Sequence, residues 1–154
     1  MSKRTPAAYG GTSWLDQSPT HLVHRVAQCA GDVFDAQTKE HHLTPRQVAV
    51  LTTAAENEGL SQTGIVDRTG IDRSTLADLV RRLKRKGLLE RRRTKEDARA
   101  YAVKLTDQGR RVLRTIEPLA KKVDEQILAA LPAKDRQLFI IALQSIIATL
   151  QPRQ

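Results

Sequence analysis

The sequence predicts a mainly α-helical chain with one small β-hairpin, and three observations carry that prediction. Three successive segments open with the same start signal, a capping side chain bracketed by two apolar residues. Two of the helices so marked are separated only by Gly70-Ile71, which is helix-turn-helix spacing. Behind them, two short alternating segments flank a charged stretch, the pattern of a hairpin. At 154 residues, 40% hydrophobic and 28% charged, the chain has the size and composition of one globular domain, or of a small domain with partner-facing helices.

Residues 1–17 are rich in Gly, Ser and Thr, carry a lone Trp14, and read as a flexible arm. Ser18-Pro19 opens a helix whose apolar positions Leu22, Val23, Val26, Ala30, Val33 and Phe34 recur every three or four residues, fading near Lys39 to His42. Thr44 then caps a helix, with Pro45 at its first position, Gln47 completing a capping box, and Leu43 stapled to Val48. Ser61 caps the next, with Leu60 stapled to Ile65, and Asp72 the one after, with Ile71 stapled to Leu76. Gly70 and Gly87 stop these two helices, and Leu88 is placed to touch Leu83 as in a Schellman motif.

The helix from Asp72 to Lys86 has two faces. Leu76, Leu79, Val80 and Leu83 form an apolar side, and Ser74, Asp78, Arg81 and Arg85 lie opposite, with Arg73, Thr75 and Arg82 at the margins. Segments 88–92 and 100–105 make the hairpin, whose tip holds Lys95, Asp97 and Arg99. A hairpin following such a helix is a wing. Thr106 caps a long helix towards Leu131, where Pro118 predicts a bend near Thr115. Pro132 opens a last helix, apolar on more than one face through Leu138, Ile141, Ile146 and Leu150. A surface that greasy calls for a partner, so with Leu22 and Val26 of the first helix it predicts a homodimer interface. The division is an arm at 1–17, a winged helix-turn-helix domain at 43–106, and a helical dimerisation region at 18–42 and 107–154.

Charge points to the partner. Of a net +9, the span Arg68 to Arg99 holds +7, from twelve basic and five acidic residues. A basic block in a nearly neutral chain is the footprint of a nucleic-acid binder. Ser and Thr at the start of the Asp72–Lys86 helix can approach base edges, arginines behind them can fork onto guanine, and an Arg at the wing tip suits the minor groove. Asp97 has a structural task instead, pairing with Arg99 or a helix Arg to hold the wing, because a carboxylate facing phosphate is repelled. With aromatics at 3%, the stacking platforms of sequence-reading RNA binders are missing, and double-stranded DNA is the expected partner. No spanning apolar run, secretory leader, Gly-rich phosphate loop, His-Glu-x-x-His or nucleophile elbow occurs, so a cytoplasmic non-enzyme without metal or cofactor is expected.

Leu43-Thr44-Pro45-Arg46-Gln47, Asp72-Arg73-Ser74-Thr75-Leu76, Leu83 to Arg91, Asp97-Ala98-Arg99 and Leu105-Thr106-Asp107-Gln108-Gly109 together resemble the MarR family of bacterial winged-helix regulators. The family commonly carries Leu-Ala where this chain has Gly64-Ile65. The resemblance implies a two-fold dimer on a pseudo-palindrome, with Ser74, Thr75, Asp78 and Arg81 facing the major groove and Arg99 the minor groove. It also implies repression relieved by a small, often aromatic, acid. The segment Trp14 to Arg25 is similar to members tied to aromatic-acid breakdown, some of which respond to hydroxycinnamoyl-CoA thioesters. Candidate effector residues are Trp14, His21, Arg25, Gln28 and Cys29. Arg25 serves equally as an ion-pair partner, the histidines as capping or solvated groups, and Cys29 as a small buried hydrophobe. Two alternatives stand beside the ligand-controlled repressor: a thiol sensor acting through Cys29, and a constitutive architectural nucleic-acid binder.

Overall fold

A computed structural model of the chain describes residues 13–93 and 101–151. After a 3-10 turn at Trp14–Gln17 come α1 (Pro19–Thr38), α2 (Pro45–Glu56), α3 (Gln62–Thr69), α4 (Arg73–Arg85), β1 (Leu89–Arg93), β2 (Tyr101–Leu105), α5 (Asp107–Ala129) and α6 (Ala133–Leu150). This is the mainly helical fold with a hairpin wing that the sequence predicts.

The start signals act as their chemistry requires. Thr44 Oγ1 accepts from the Gln47 N–H at 3.3 Å while Gln47 Oε1 accepts from the Thr44 N–H at 3.0 Å, a complete capping box. Ser61 accepts from Gly64 and Asp72 from Thr75 in the same manner. Gly70, at φ 68°, takes the left-handed turn between α3 and α4, where a side chain would strain the backbone. At the end of α4 the Leu88 N–H reaches the Leu83 carbonyl and the Gly87 N–H that of Lys84, the paired bonds of a Schellman stop.

β1 and β2 pair antiparallel with Leu89 opposite Leu105, Arg91 opposite Val103 and Arg93 opposite Tyr101. Ser61 bridges to Ala102, and the Val103 N–H donates to the Leu60 carbonyl at 3.0 Å, so the entry to α3 forms a third short edge of the wing. That edge has no period of its own and leaves no pattern in the sequence.

The core gathers Val50, Leu51, Ile65, Leu76, Val80, Leu83, Val103 and Ile116 from α2 to α5. α5 is the shared member, packing on α1, on α2 and on the wing root. It runs unbroken through Pro118, whose missing N–H leaves the Arg114 carbonyl without its helical donor. α6 contributes no buried residue, with Leu138 63% and Leu150 75% exposed. Leu22, Val26, Ile141 and Ile146 are exposed as well, together with Val23 and Ile147. Among the described residues nothing buries this apolar surface, although burial is the ordinary fate of such a helix. Just beyond α6, Gln151 lies against the α3–α4 turn, where a Cβ on Gly70 would lie 2.8 Å from its Oε1.

Candidate nucleic-acid interface

α4 owes its orientation to the residues it buries. Leu76, Val80 and Leu83 are each at most 1% exposed, which pins the opposite face to solvent. At about 100° per residue, Ser74, Asp78, Arg81 and Arg85 fall within about 60° of one another on that face. Arg82 stands on one flank and Lys84 on the other. Ser74, Asp78, Arg81, Lys84 and Arg85 line an open cleft of about 520 Å³, with Ala77 and, from β1, Arg91.

The polar groups of this face are arranged among themselves. Ser74 Oγ donates to Asp72 Oδ1 at 2.7 Å, and the Thr75 N–H donates to the same oxygen at 2.9 Å. Those bonds from Thr75 and Ser74 hold the Asp72 carboxyl far below the usual carboxylate range. With its proton committed inward, Ser74 presents lone pairs outward. Asp78 is gripped twice, by Arg81 through Oδ1 and by Arg82 through Oδ2, each at 2.6 Å. The hydrogen bond from Arg81, aided by the charge of Arg82, lowers the Asp78 pKa.

Around the face, Glu90 pairs with Arg92 at 2.7 Å, Arg93 lies 6.0 Å from the Tyr101 ring centroid, and Lys86 donates to the His42 carbonyl at 2.5 Å. Arg91 donates to Gln62 Oε1 at the start of α3. Arg73, Lys84 and Arg85 have no acidic partner among the described residues. Arg91 and Lys84, which the sequence shows only as part of the basic block, join the face here. Strand alternation was the available signal for Arg91, since period two puts it on the face of buried Leu89, towards α4. Lys95, Asp97 and Arg99 lie outside the described residues, and so does the pairing expected of Asp97.

The candidate effector residues lie elsewhere, on the outer side of α1. Arg25, Gln28 and Cys29 are exposed, His21 is half-buried, and Trp14 in the preceding turn is 74% exposed. They line neither the α4 cleft nor the smaller one beneath the α3–α4 turn. His24 Nδ1 lies 2.9 Å from the Thr20 carbonyl, a local contact. Arg25 forms no ion pair among the described residues. Cys29 is a free thiol open to solvent rather than the buried hydrophobe the sequence suggested. The reason is its place beside the uncovered Leu22–Val26 stripe.

Residues 41–100 match the MarR family. Over 107 residues the chain is 30% identical to the transcriptional regulator HosA of Escherichia coli O157:H7, spanning 70% of this chain and 79% of HosA. The chain belongs to the MarR family. With that membership goes DNA-binding transcriptional regulation. Two solved MarR-type structures are similar over nearly their whole length. PcaV of Streptomyces coelicolor, solved in complex with its natural ligand, superposes with a TM-score of 0.84 at 30% identity, over 92% of this chain and 99% of PcaV. BpsR of Bordetella bronchiseptica, whose DNA binding is regulated by 6-hydroxynicotinic acid, gives 0.82 at 25% identity, over 88% and 97%.

Proposed function

We propose that this chain is a dimeric repressor that holds a pseudo-palindromic operator and releases it when a small aromatic acid, or the CoA thioester of one, binds. The observation that carries the DNA reading is the outward face of α4: polar and basic, backed by buried Leu76, Val80 and Leu83, and carrying in Lys84 and Arg85 cations with no acidic partner among the described residues. Ser74, Thr75, Asp78, Arg81 and Arg85 would meet base edges, with Arg73, Arg82, Lys95 and Arg99 on the phosphates and in the minor groove. The exposed apolar surfaces of α1 and α6 support the dimer. Two copies joined there present two recognition helices to the two halves of one site. The proposed effector class is supported by PcaV, solved with its natural ligand, and by BpsR, whose DNA binding is regulated by 6-hydroxynicotinic acid. On α1, Arg25 offers a carboxylate its cation, with His21 and Gln28 one turn away on the same side.

Titration of the full chain onto a labelled duplex from its own upstream region, against scrambled competitor at two salt concentrations, tests this. Selective binding of one dimer per site at physiological salt, reversed by an aromatic acid, is the expected result. Equal affinity for scrambled DNA, collapsing steeply with salt, replaces the reading with a constitutive architectural binder. Arg25→Ala should weaken release without weakening DNA binding, and an unchanged response removes Arg25 from the effector site. The exposed thiol keeps a redox reading in view: a Cys29→Ser protein that still leaves DNA on peroxide treatment ends it.

A further inference from the structure

We propose that Asp78 is a base-reading specificity determinant of α4, selecting a cytosine beside the guanine that Arg81 reads. The inference rests on the regulator reading above and deepens it. Asp78 is a carboxylate in the middle of the DNA-facing stripe, where charge alone would place only cations. A phosphate cannot be its partner, since like charges repel. In the major groove the complementary groups are exocyclic amino donors, and the carboxylate–cytosine N4 pairing is the one acidic side chains make.

The geometry equips it for that task. Its oxygens are held at 2.6 Å by Arg81 and by Arg82. These two bonds use about half of the roughly four lone-pair positions of a carboxylate, so an amino group can still be accepted. Arg81 spends one of about five N–H donors on Asp78 and keeps the rest of its fork for guanine O6 and N7. Acceptor and donor therefore project together from one helical turn, already bonded to each other. The three bonded residues divide their work by angle. Arg81 lies at one edge of the stripe, about 20° from Ser74 and about 60° from Asp78, while Arg82 stands about 80° from Ser74, beyond Asp78 on the flank that meets the groove wall. Arg82 thus grips phosphate while steadying Asp78 from the side.

Selection from a pool of duplexes with randomised bases, followed by anisotropy on the winner with each base replaced in turn, reads the assignment. Wild-type protein is expected to enrich a half-site with adjacent cytosine and guanine and to lose about tenfold in affinity when that cytosine is replaced. Asp78→Asn should shift the preference at that one position towards adenine, because an amide pairs with adenine N6 and N7. It should also raise affinity for scrambled duplex, because a repelling charge is gone. Arg82→Ala should lower the salt slope by about one and, with Asp78 no longer steadied, blunt the preference at the cytosine while leaving the other positions unchanged. An Asp78→Asn protein with the wild-type preference at every position overturns the assignment and leaves the pair as a helix brace. A wild-type protein that enriches no sequence overturns the regulator reading itself, and this inference with it.

Discussion

Replacing Gly109 with alanine tests the joint between the wing and the long helix. Gly109 is buried in the first turn of α5, under the chain that leaves α4. A Cβ there would lie 3.0 Å from the Leu88 carbonyl carbon and 3.3 Å from its Cα, and closer still to the carbonyl oxygen. An ordinary carbon–oxygen contact needs about 3.3–3.6 Å, so α5 and the Leu88 strand must part by on the order of 1 Å. The obstacle cannot swing aside. The Leu88 carbonyl accepts from the Thr106 N–H at 3.1 Å, and Thr106 Oγ1 donates to the Gly87 carbonyl at 2.5 Å while accepting from the Gly109 N–H at 3.0 Å. Overpacking against backbone sits at the upper end of about 1–3 kcal/mol. A weakened Thr106–Leu88 bond adds about 1 kcal/mol, and the better helix propensity of alanine returns about 1 kcal/mol. The expected loss is about 3 kcal/mol, or roughly 6–12 °C in Tm for a chain of this size. Thermal and urea melts at one fixed protein concentration measure it. Gly31→Ala is the control, since among the described residues nothing beyond its own helical turn lies within 4 Å of the added Cβ, and it should gain about 0.5–1 kcal/mol. A Gly109→Ala protein with unchanged or raised Tm refutes the reasoning, because the joint would then relax freely.

Ile141→Asp, which puts a charge on the exposed apolar face of α6, should convert the proposed dimer to monomer by light scattering and abolish tight operator binding while the winged domain still melts cooperatively; a dimer that survives moves the interface elsewhere. Arg91→Ala should lower affinity evenly across sequences and reduce the salt slope by about one, and a base-specific loss would contradict its place on the cleft wall. Asp72 has a lowered pKa in the folded chain, so its cap stabilises at neutral pH and is lost as pH falls below the ordinary value of 3.8 towards the folded one. Asp72→Asn should therefore lose less Tm than wild type between about pH 5 and 2; parallel acid profiles would show that the charge on Asp72 contributes nothing.

What could be read in advance was whatever depends on near neighbours in the chain. The Thr44–Gln47 box, the Asp72 cap and the Gly87 stop are each decided within six residues, and each forms with the expected bonds. The two faces of α4 were legible because one helix period separates Leu76, Val80 and Leu83 from Ser74, Asp78 and Arg81. What remained hidden needs a third dimension. Periodicity assigns Ser74 and Asp78 to a face but is silent on the bonds that commit the Ser74 proton to Asp72 and both Asp78 oxygens to arginines. The Leu60–Ser61 edge involves two residues meeting a strand some forty positions away, too short to carry a pattern. Among three arginines in a row, strand alternation sets Arg91 on the Leu89 face, and the pairing with β2 turns that face towards α4.

The long helix has a mechanical consequence. At 23 residues, α5 is a rod of roughly 34 Å. One end is keyed by Gly109 under Leu88, and the rod carries α1 with it. Tilting such a rod by about 5° moves its far end by about 3 Å, close to the roughly 3.4 Å spacing of successive bases along a DNA strand. In the proposed repressor, a change of a few degrees in the tilt of α5 would be enough to carry α4 out of register with the bases it faces.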